Sequence, residues 1–299
     1  MASDTSMIDG TTATLPSRPR AAADQRGVNL RPIFRSIRLD VFGAIGLILL
    51  IVLWWGLTFV VPRSSLPSPL AVFRRIADDF IVADVLSYYG LPQTGLLGSM
   101  GYTAANVLVA VVVGGLIGTV LGLFAARVQL ARAISDPILN TVGTIPILVM
   151  APFFLIWFGT GRWSAVLLVT VYVLVILYLF AQRAAENLDP VYENYAQTFG
   201  AHSGDILRDV LIPGTLPQVL GGIRIALAGA WGLEAIAELL GAQQGIGKII
   251  EVLAGSLDIE GIFAALLVLG IVAVVADRIA GAIVRYITRW SVSTQVGTA

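Results

Sequence analysis

The sequence contains no cysteine and a single histidine, His202. The first absence excludes disulfides, thiolate metal sites and a cysteine nucleophile. The second leaves too few imidazoles for a histidine-built metal centre and argues against a Ser-His-Asp triad. Charge is also scarce: Asp, Glu, Lys and Arg make up 13% of 299 residues, against about 25% in soluble domains. The formal net charge is zero, which removes the basic footprint that a nucleic-acid partner would need. Lys248 is the only lysine. No internal repeat is evident, which weighs against secondary transporters built from duplicated halves. No catalytic, cofactor or metal site is expected of the chain.

What is present is apolar. Hydrophobic residues reach 57% and the mean hydropathy is +0.86, which places the chain in the membrane class. Apolar runs predict about six spans, over residues 41–61, 102–125, 133–157, 163–181, 220–240 and 262–287. The first comprises 21 uncharged residues stopped by Pro62, enough to cross about 30 Å of hydrocarbon and too long for a secretory signal. Arg224, Glu234, Glu238, Asp277 and Arg278 interrupt the last two. The predicted fold is all-α and polytopic: a disordered tail over residues 1–37, a membrane domain over 38–290 and a short C-terminal tail over 291–299.

Orientation follows from the basic residues. Thirteen fall on one side: six in the N-terminal tail, Arg127, Arg132, Arg183, Arg208, Arg278, Arg285 and Arg289. Five fall on the other: Arg63, Arg74, Arg75, Arg162 and Lys248. Both termini are thereby predicted to be cytoplasmic, and so is the polar stretch 188–213, which carries Asp189, Glu193, Asp205, Arg208 and Asp209 between two apolar segments.

That stretch reads as a compact helix–Gly–helix element. Asp189 and Pro190 form a helix start. Tyr192, Tyr195, Ala196 and Phe199 follow at i, i+3, i+4 and i+7, making one apolar face. Gly200 suits a left-handed helix end. Ser203 is expected to cap a second short helix with Ile206, Leu207, Val210 and Leu211 on its apolar side, ended by Pro213. Both apolar faces are expected to pack mostly on the chain's own helices, leaving the turn over 198–203 and the polar face, His202 included, to a partner.

The element resembles the cytoplasmic signature of binding-protein-dependent ABC-transporter permeases: Glu-Ala-Ala, three residues, Gly, nine residues, Ile, one residue, Leu-Pro. With the glycine at Gly200, Ala201 follows it, and Val210, Ile212 and Pro213 take the distal positions. Ala196 matches, Asn194 and Tyr195 stand where Glu and the first Ala belong, and Glu193 is one position early. The resemblance extends over roughly residues 40–290 and is closest to the nitrate, sulfonate and taurine branch. It is carried by Leu66-Pro67-Ser68-Pro69 with Val72, Thr144-Ile145-Pro146, Ala151-Pro152, Trp157-Phe158-Gly159-Thr160-Gly161, Leu216-Pro217, Gly222, Arg224, Trp231, Ala237-Glu238-Leu239-Leu240-Gly241 and Gly245-Ile246-Gly247. It implies the permease subunit of an ATP-driven importer in a bacterial inner membrane. The implied partners are a second permease copy, two cytoplasmic ATPases, an extracytoplasmic solute-binding protein and the lipid bilayer. It further implies that Glu193, Asn194, Tyr195, Ala196, Gly200, Ala201, Ile212 and Pro213 couple to the ATPase, and that the cargo is a small anion or organic solute.

Other residues keep two readings open. Glu234 and Glu238 lie four apart on one helix face, and ionisable groups at membrane depth are functional hypotheses by default. They could serve an ion-coupled secondary transporter. Alternatively Glu238 hydrogen-bonds the backbone of a reentrant stretch over 241–247, and Glu234 pairs with Arg224 or a polar group nearby. Pro146 and Pro152 mark either a broken helix along a pathway or a simple kink. Gly114, Gly118 and Gly122 form a small-residue row suited to close helix packing, within one subunit or between two. Gly245-Ile246-Gly247-Lys248 is not a phosphate loop, because Ala242 and Ile249 occupy its required Gly and Ser/Thr positions. Trp54, Trp55, Trp157 and Trp163 read as interfacial anchors.

Overall fold

The computed structural model describes residues 31–62, 64–91 and 93–291, and the described residues are helical with no strand. The tails predicted at either end lie outside the described residues up to residue 30 and beyond Ser291. The chain divides within its first helix into two compact units, Met1–Val52 and Leu53–Ala299. That helix, α1 (Arg31–Leu57), carries the apolar segment Val41–Leu57. It closes in a turn ahead of Pro62, with the Val61 amide donating to the Leu57 carbonyl at 2.9 Å.

The second unit continues with α2 (Pro69–Asp79), α3 (Asp84–Tyr88), α4 (Gly95–Arg127), α5 (Gln129–Thr144), α6 (Ala151–Phe158), α7 (Arg162–Glu186), α8 (Pro190–Thr198), α9 (Ser203–Asp205), α10 (Ile212–Gly241), α11 (Ile246–Gly255) and α12 (Ile259–Ile287). α4, α7, the continuous Ser203–Gly241 helix and α12 are each long and apolar enough to cross a membrane. The run over 133–157, predicted as one span, is two helical segments bent by 92°. The cause is local. Proline disfavours the helical region for the residue before it, and Ile145 is accordingly extended (φ −76°, ψ 126°) ahead of Pro146. Pro152 falls in the first turn of α6, where its missing N–H has no helical acceptor to lose, so it starts a helix instead of breaking one.

The core of the unit is α4 against α7. A Cβ on Gly114 would lie 2.5 Å from the Thr170 carbonyl oxygen, one on Gly118 2.3 Å from that of Leu174, and one on Gly122 2.4 Å from that of Tyr178. The glycine row therefore packs inside the subunit, bringing two backbones into contact where water supplies no driving force. α5 buries no residue fully and is tied to α7 by polar contacts. Gln182 Nε2 donates to Asp136 Oδ1 at 2.9 Å, and Arg132 pairs with Glu186 at 2.8 Å. α2 begins at Ser68, whose Oγ accepts from the Ala71 amide, with Pro69 first in the helix. Arg75 of α2 pairs with Asp258, the N-cap of α12, at 2.8 Å. Trp54, read from the sequence as an anchor, packs within the unit: its Nε1 donates to the Pro67 carbonyl at 3.1 Å and its ring stacks on Phe263.

Candidate functional site

The polar element begins as predicted. Asp189 Oδ1 accepts from the Val191 amide at 2.9 Å and caps α8. Gly200 ends it at φ +81°. The Ala201 amide reaches the Ala196 carbonyl and the Gly200 amide reaches that of Gln197, the paired closure of a Schellman end. The turn to the next helix is capped one residue earlier than expected, by His202, whose amide donates to Asp205 Oδ2 at 2.9 Å. The His202 side chain is 91% exposed.

Two expectations are corrected here. The second helix does not stop at Pro213: α9 passes through a π-helical stretch, Ile206–Leu211, into α10. Pro213 has no N–H to offer the Asp209 carbonyl, and a wider turn just ahead of it absorbs one extra residue. The buried positions record this change, with Ile206 and Leu211 five apart and Leu211, Thr215, Val219, Gly222, Ala226 and Ala230 at spacings of three or four. Nor does the apolar face of α8 pack on the chain's own helices. Tyr192, Tyr195 and Phe199 are 61%, 64% and 75% exposed, and the last two rings meet edge to face at 5.0 Å.

The other positions singled out in this element fall around that face. Asn194 and Gly200 are exposed, Ala196, Ala201 and Pro213 half-buried, and Ile212 exposed beside Leu207. Glu193 turns the opposite way. Its carboxylate takes both arms of Arg127 at the end of α4, Nη1 donating to Oε2 at 2.7 Å and Nη2 to Oε1. That pairing holds the Glu193 carboxyl below its ordinary range. A groove of about 600 Å³ opens beside the pair, lined by Phe124, Gln197, Ile206 and Leu207.

At the far end of α10, Glu238 has no exposed surface. The Thr103 hydroxyl lies 2.8 Å from its Oε2, and the Gly247 amide donates to the same oxygen at 3.0 Å. Thr103 Oγ1 also accepts from the Ile246 amide at 2.9 Å. Glu238 and Thr103 thus clasp the bend between α10 and α11 onto α4. Gly245, at φ +106°, could carry no side chain there, because a Cβ would lie 2.2 Å from the Glu238 carboxyl carbon. Thr103 and Asn106 escaped the sequence reading, since single polar residues in an apolar helix carry no periodic signal.

Glu234, one turn along, is equally buried, and neither of its oxygens has a hydrogen-bond partner among the described residues. Asn106 lies beside it, and Asn106 Oδ1 accepts from Arg162 Nε at 2.6 Å. The partner expected for Glu234, Arg224, is engaged elsewhere. Its Nε and Nη2 both donate to Asp277 of α12, at 2.8–3.0 Å. Of the five charges that interrupt the fifth and sixth predicted spans, Arg224 and Asp277 are therefore each other's partners. Pro146 and Pro152 lie at the two ends of the short 3₁₀ turn Ile147–Met150, Pro146 beside a groove of about 490 Å³ lined also by Asn140, Tyr172 and Leu179.

A polytopic helical bundle with polar residues clasping helix bends inside it, and a structured helix–Gly–helix presented at one end, is a membrane transport subunit in form. Residues 118–290 match the family described as binding-protein-dependent transport system inner membrane component, and the chain belongs to that family. It is 25% identical over 261 residues to the taurine transport system permease protein TauC of Escherichia coli (strain K12), covering 87% of this chain and 92% of that one. It is 29% identical over 209 residues to the formylaminopyrimidine transport permease protein ThiX of Halalkalibacterium halodurans (strain ATCC BAA-125 / DSM 18197 / FERM 7344 / JCM 9153 / C-125), covering 70% and 79%. Among solved structures, an inward-facing MetNI methionine ABC transporter aligns with TM-score 0.57 and 25% identity, covering 64% of this chain and 96% of that chain. The protein is a permease subunit of an ABC importer, and its relatives are transport subunits, not enzymes.

Proposed function

We propose that two copies of the chain enclose a path for a small solute bearing an oxyanion, delivered by an extracytoplasmic solute-binding protein and driven by cytoplasmic ATPases seated on α8 and the Gly200 turn. Both termini lie in the cytoplasm of a bacterium, the membrane domain covers residues 38–290, and tails flank it at 1–37 and 291–299. The observation that carries the reading is the aromatic face of α8. Three large rings, on Tyr192, Tyr195 and Phe199, stand exposed on a helix capped at both ends. Exposed aromatic clusters on ordered elements mark protein interfaces. The Glu193–Arg127 pair supports a rigid lever, because it fastens the same helix to the end of α4. Asn194, Tyr195, Ala196, Gly200 and Ala201 form the surface met by the ATPase, with Ile212 and Pro213 beneath it. The taurine relative and the branch resemblance support a sulfonate or similar anion. The formylaminopyrimidine relative indicates that this scaffold also carries other organic solutes.

Replacing Gly200 with arginine tests the coupling surface. A Cβ there meets nothing within 4 Å, so the change adds bulk and left-handed strain of about 1–2 kcal/mol without disturbing the bundle. The Gly200→Arg transporter is expected to purify as a folded permease that no longer holds its ATPase. Normal binding-protein-stimulated hydrolysis by that variant would refute the assignment. Uptake into proteoliposomes across taurine, alkanesulfonates, nitrate and a formylaminopyrimidine tests the substrate separately.

A further inference from the structure

Arg224 and Asp277 form an ion pair well inside the two helices that carry them. Arg224 is seventeen residues from the end of α10 at Gly241 and twelve from its start at Ile212, and Asp277 is eighteen from the start of α12 at Ile259 and ten from its end at Ile287, so the pair lies about 15 Å or more from either end of each helix. Yet each side chain is 40% exposed. Charges at such depth are strongly disfavoured against lipid, so this face meets water or protein. The surrounding face of α10 is mixed. Gln218, Ala228 and Gly232 are exposed along it together with Ile225, and a Cβ on Gly221 or Gly232 would meet nothing within 4 Å. Room for the guanidinium is made by Gly281, whose Cβ would lie 3.2 Å from Arg224 Cζ.

The hydrogen bonding of the pair is one-sided. Asp277 occupies Nε and Nη2 of Arg224, while Nη1 makes no hydrogen bond among the described residues. We propose that the Arg224–Asp277 pair is a station on the transport path, where the open edge of the guanidinium contacts the oxyanion of the passing solute. The inference rests on the transport reading above and adds a specific contact to it. A lone arginine at this depth would trap an anion, whereas one already neutralised by a carboxylate offers directed donors with little net charge. Conduction asks for that balance of entry and release.

The absence of cysteine from the chain makes thiol labelling a direct test in the reconstituted transporter. Ala228→Cys places a thiol one turn from Arg224, and Val275→Cys places one on the opposite side of α12 from Asp277. Each is treated with the anionic 2-sulfonatoethyl and the cationic 2-(trimethylammonium)ethyl methanethiosulfonates, and rates are read on the permease by mass and referred to a free thiol. Ala228→Cys is expected to react about tenfold faster than Val275→Cys with both reagents, and to favour the anionic one by about threefold or more. Adding Arg224→Met with Asp277→Leu is expected to bring that preference to unity. A thiol at position 228 that reacts no faster than one at position 275 would overturn the proposal, as would an anion preference that is absent at position 228 or survives removal of the pair. The readout needs neither uptake nor ATPase docking, so it fails or succeeds independently of the broader assignment.

Discussion

The Gly247 amide donates to Glu238 Oε2 at 3.0 Å across a bend so tight that a Cβ on residue 247 would lie 2.0 Å from the carbonyl oxygen of Ala235. The carboxylate and the missing side chain are two halves of one fitting, since backbone can approach α10 closely enough to reach Glu238 only where no Cβ intervenes.

Gly247→Ala is therefore expected to destabilise the subunit by about 1–3 kcal/mol, the usual effect of an added methyl in a filled site. Gly232→Ala, in open space on α10, serves as its control. Thermal unfolding of the purified transporter should show a lowered midpoint for the first and none for the second; indistinguishable midpoints would refute the fitting.

Glu238→Gln keeps an acceptor for the Gly247 amide, whereas Glu238→Ala leaves that donor buried and unmet, at about 1–3 kcal/mol. Transport by the glutamine variant should persist with proton and sodium gradients collapsed and stop when ATP is removed. Uptake that instead follows the ion gradient would restore the ion-coupled reading of Glu234 and Glu238.

Gly118→Leu should damage the single subunit, because the new side chain meets the Leu174 backbone of α7. The expected result is a loss of folded permease in detergent, seen as aggregation on size exclusion. A stable subunit that merely fails to dimerise would place the glycine row between subunits.

Acid should loosen α8. Hydrogen bonds from Arg127 lower the Glu193 carboxyl from its ordinary 4.5, so the pair's contribution is fully present above that value and is lost as pH falls through the lowered one. Both groups are partly exposed, which limits the effect to about 1 kcal/mol or less. Amide exchange of α8, corrected for intrinsic rates, should show protection that is flat from pH 7 to 5 and falls below about 4.5. Glu193→Gln should have lower protection with no such fall.

Most of the helices were legible because apolar runs of membrane length carry one meaning. The ends of α8 at Asp189 and Gly200 were legible too, since each is a local bargain between a side chain or a glycine and the adjacent backbone. The kink at Pro146 could be anticipated but not its angle, which depends on how α5 and α6 pack on α7. The exposure of Tyr192, Tyr195 and Phe199 was misread for a physical reason: periodicity identifies an apolar face without saying whether its cover lies in the same chain. The partner of Arg224 was missed because Asp277 is 53 residues away, and sequence spacing says nothing about contacts between helices.

The wide turn at Ile206–Leu211 sets an angular phase. One residue advances an α-helix by about 100°, so the five-residue step from Ile206 to Leu211 decides which way the Gly200 turn points relative to the buried edge of α10. Deleting a single residue within that stretch would leave the membrane contacts of α10 in place and swing the α8 end around the helix axis by roughly that angle. Helical phase thus sets the direction of the proposed docking surface, and one inserted or deleted residue can change it without altering any residue of that surface.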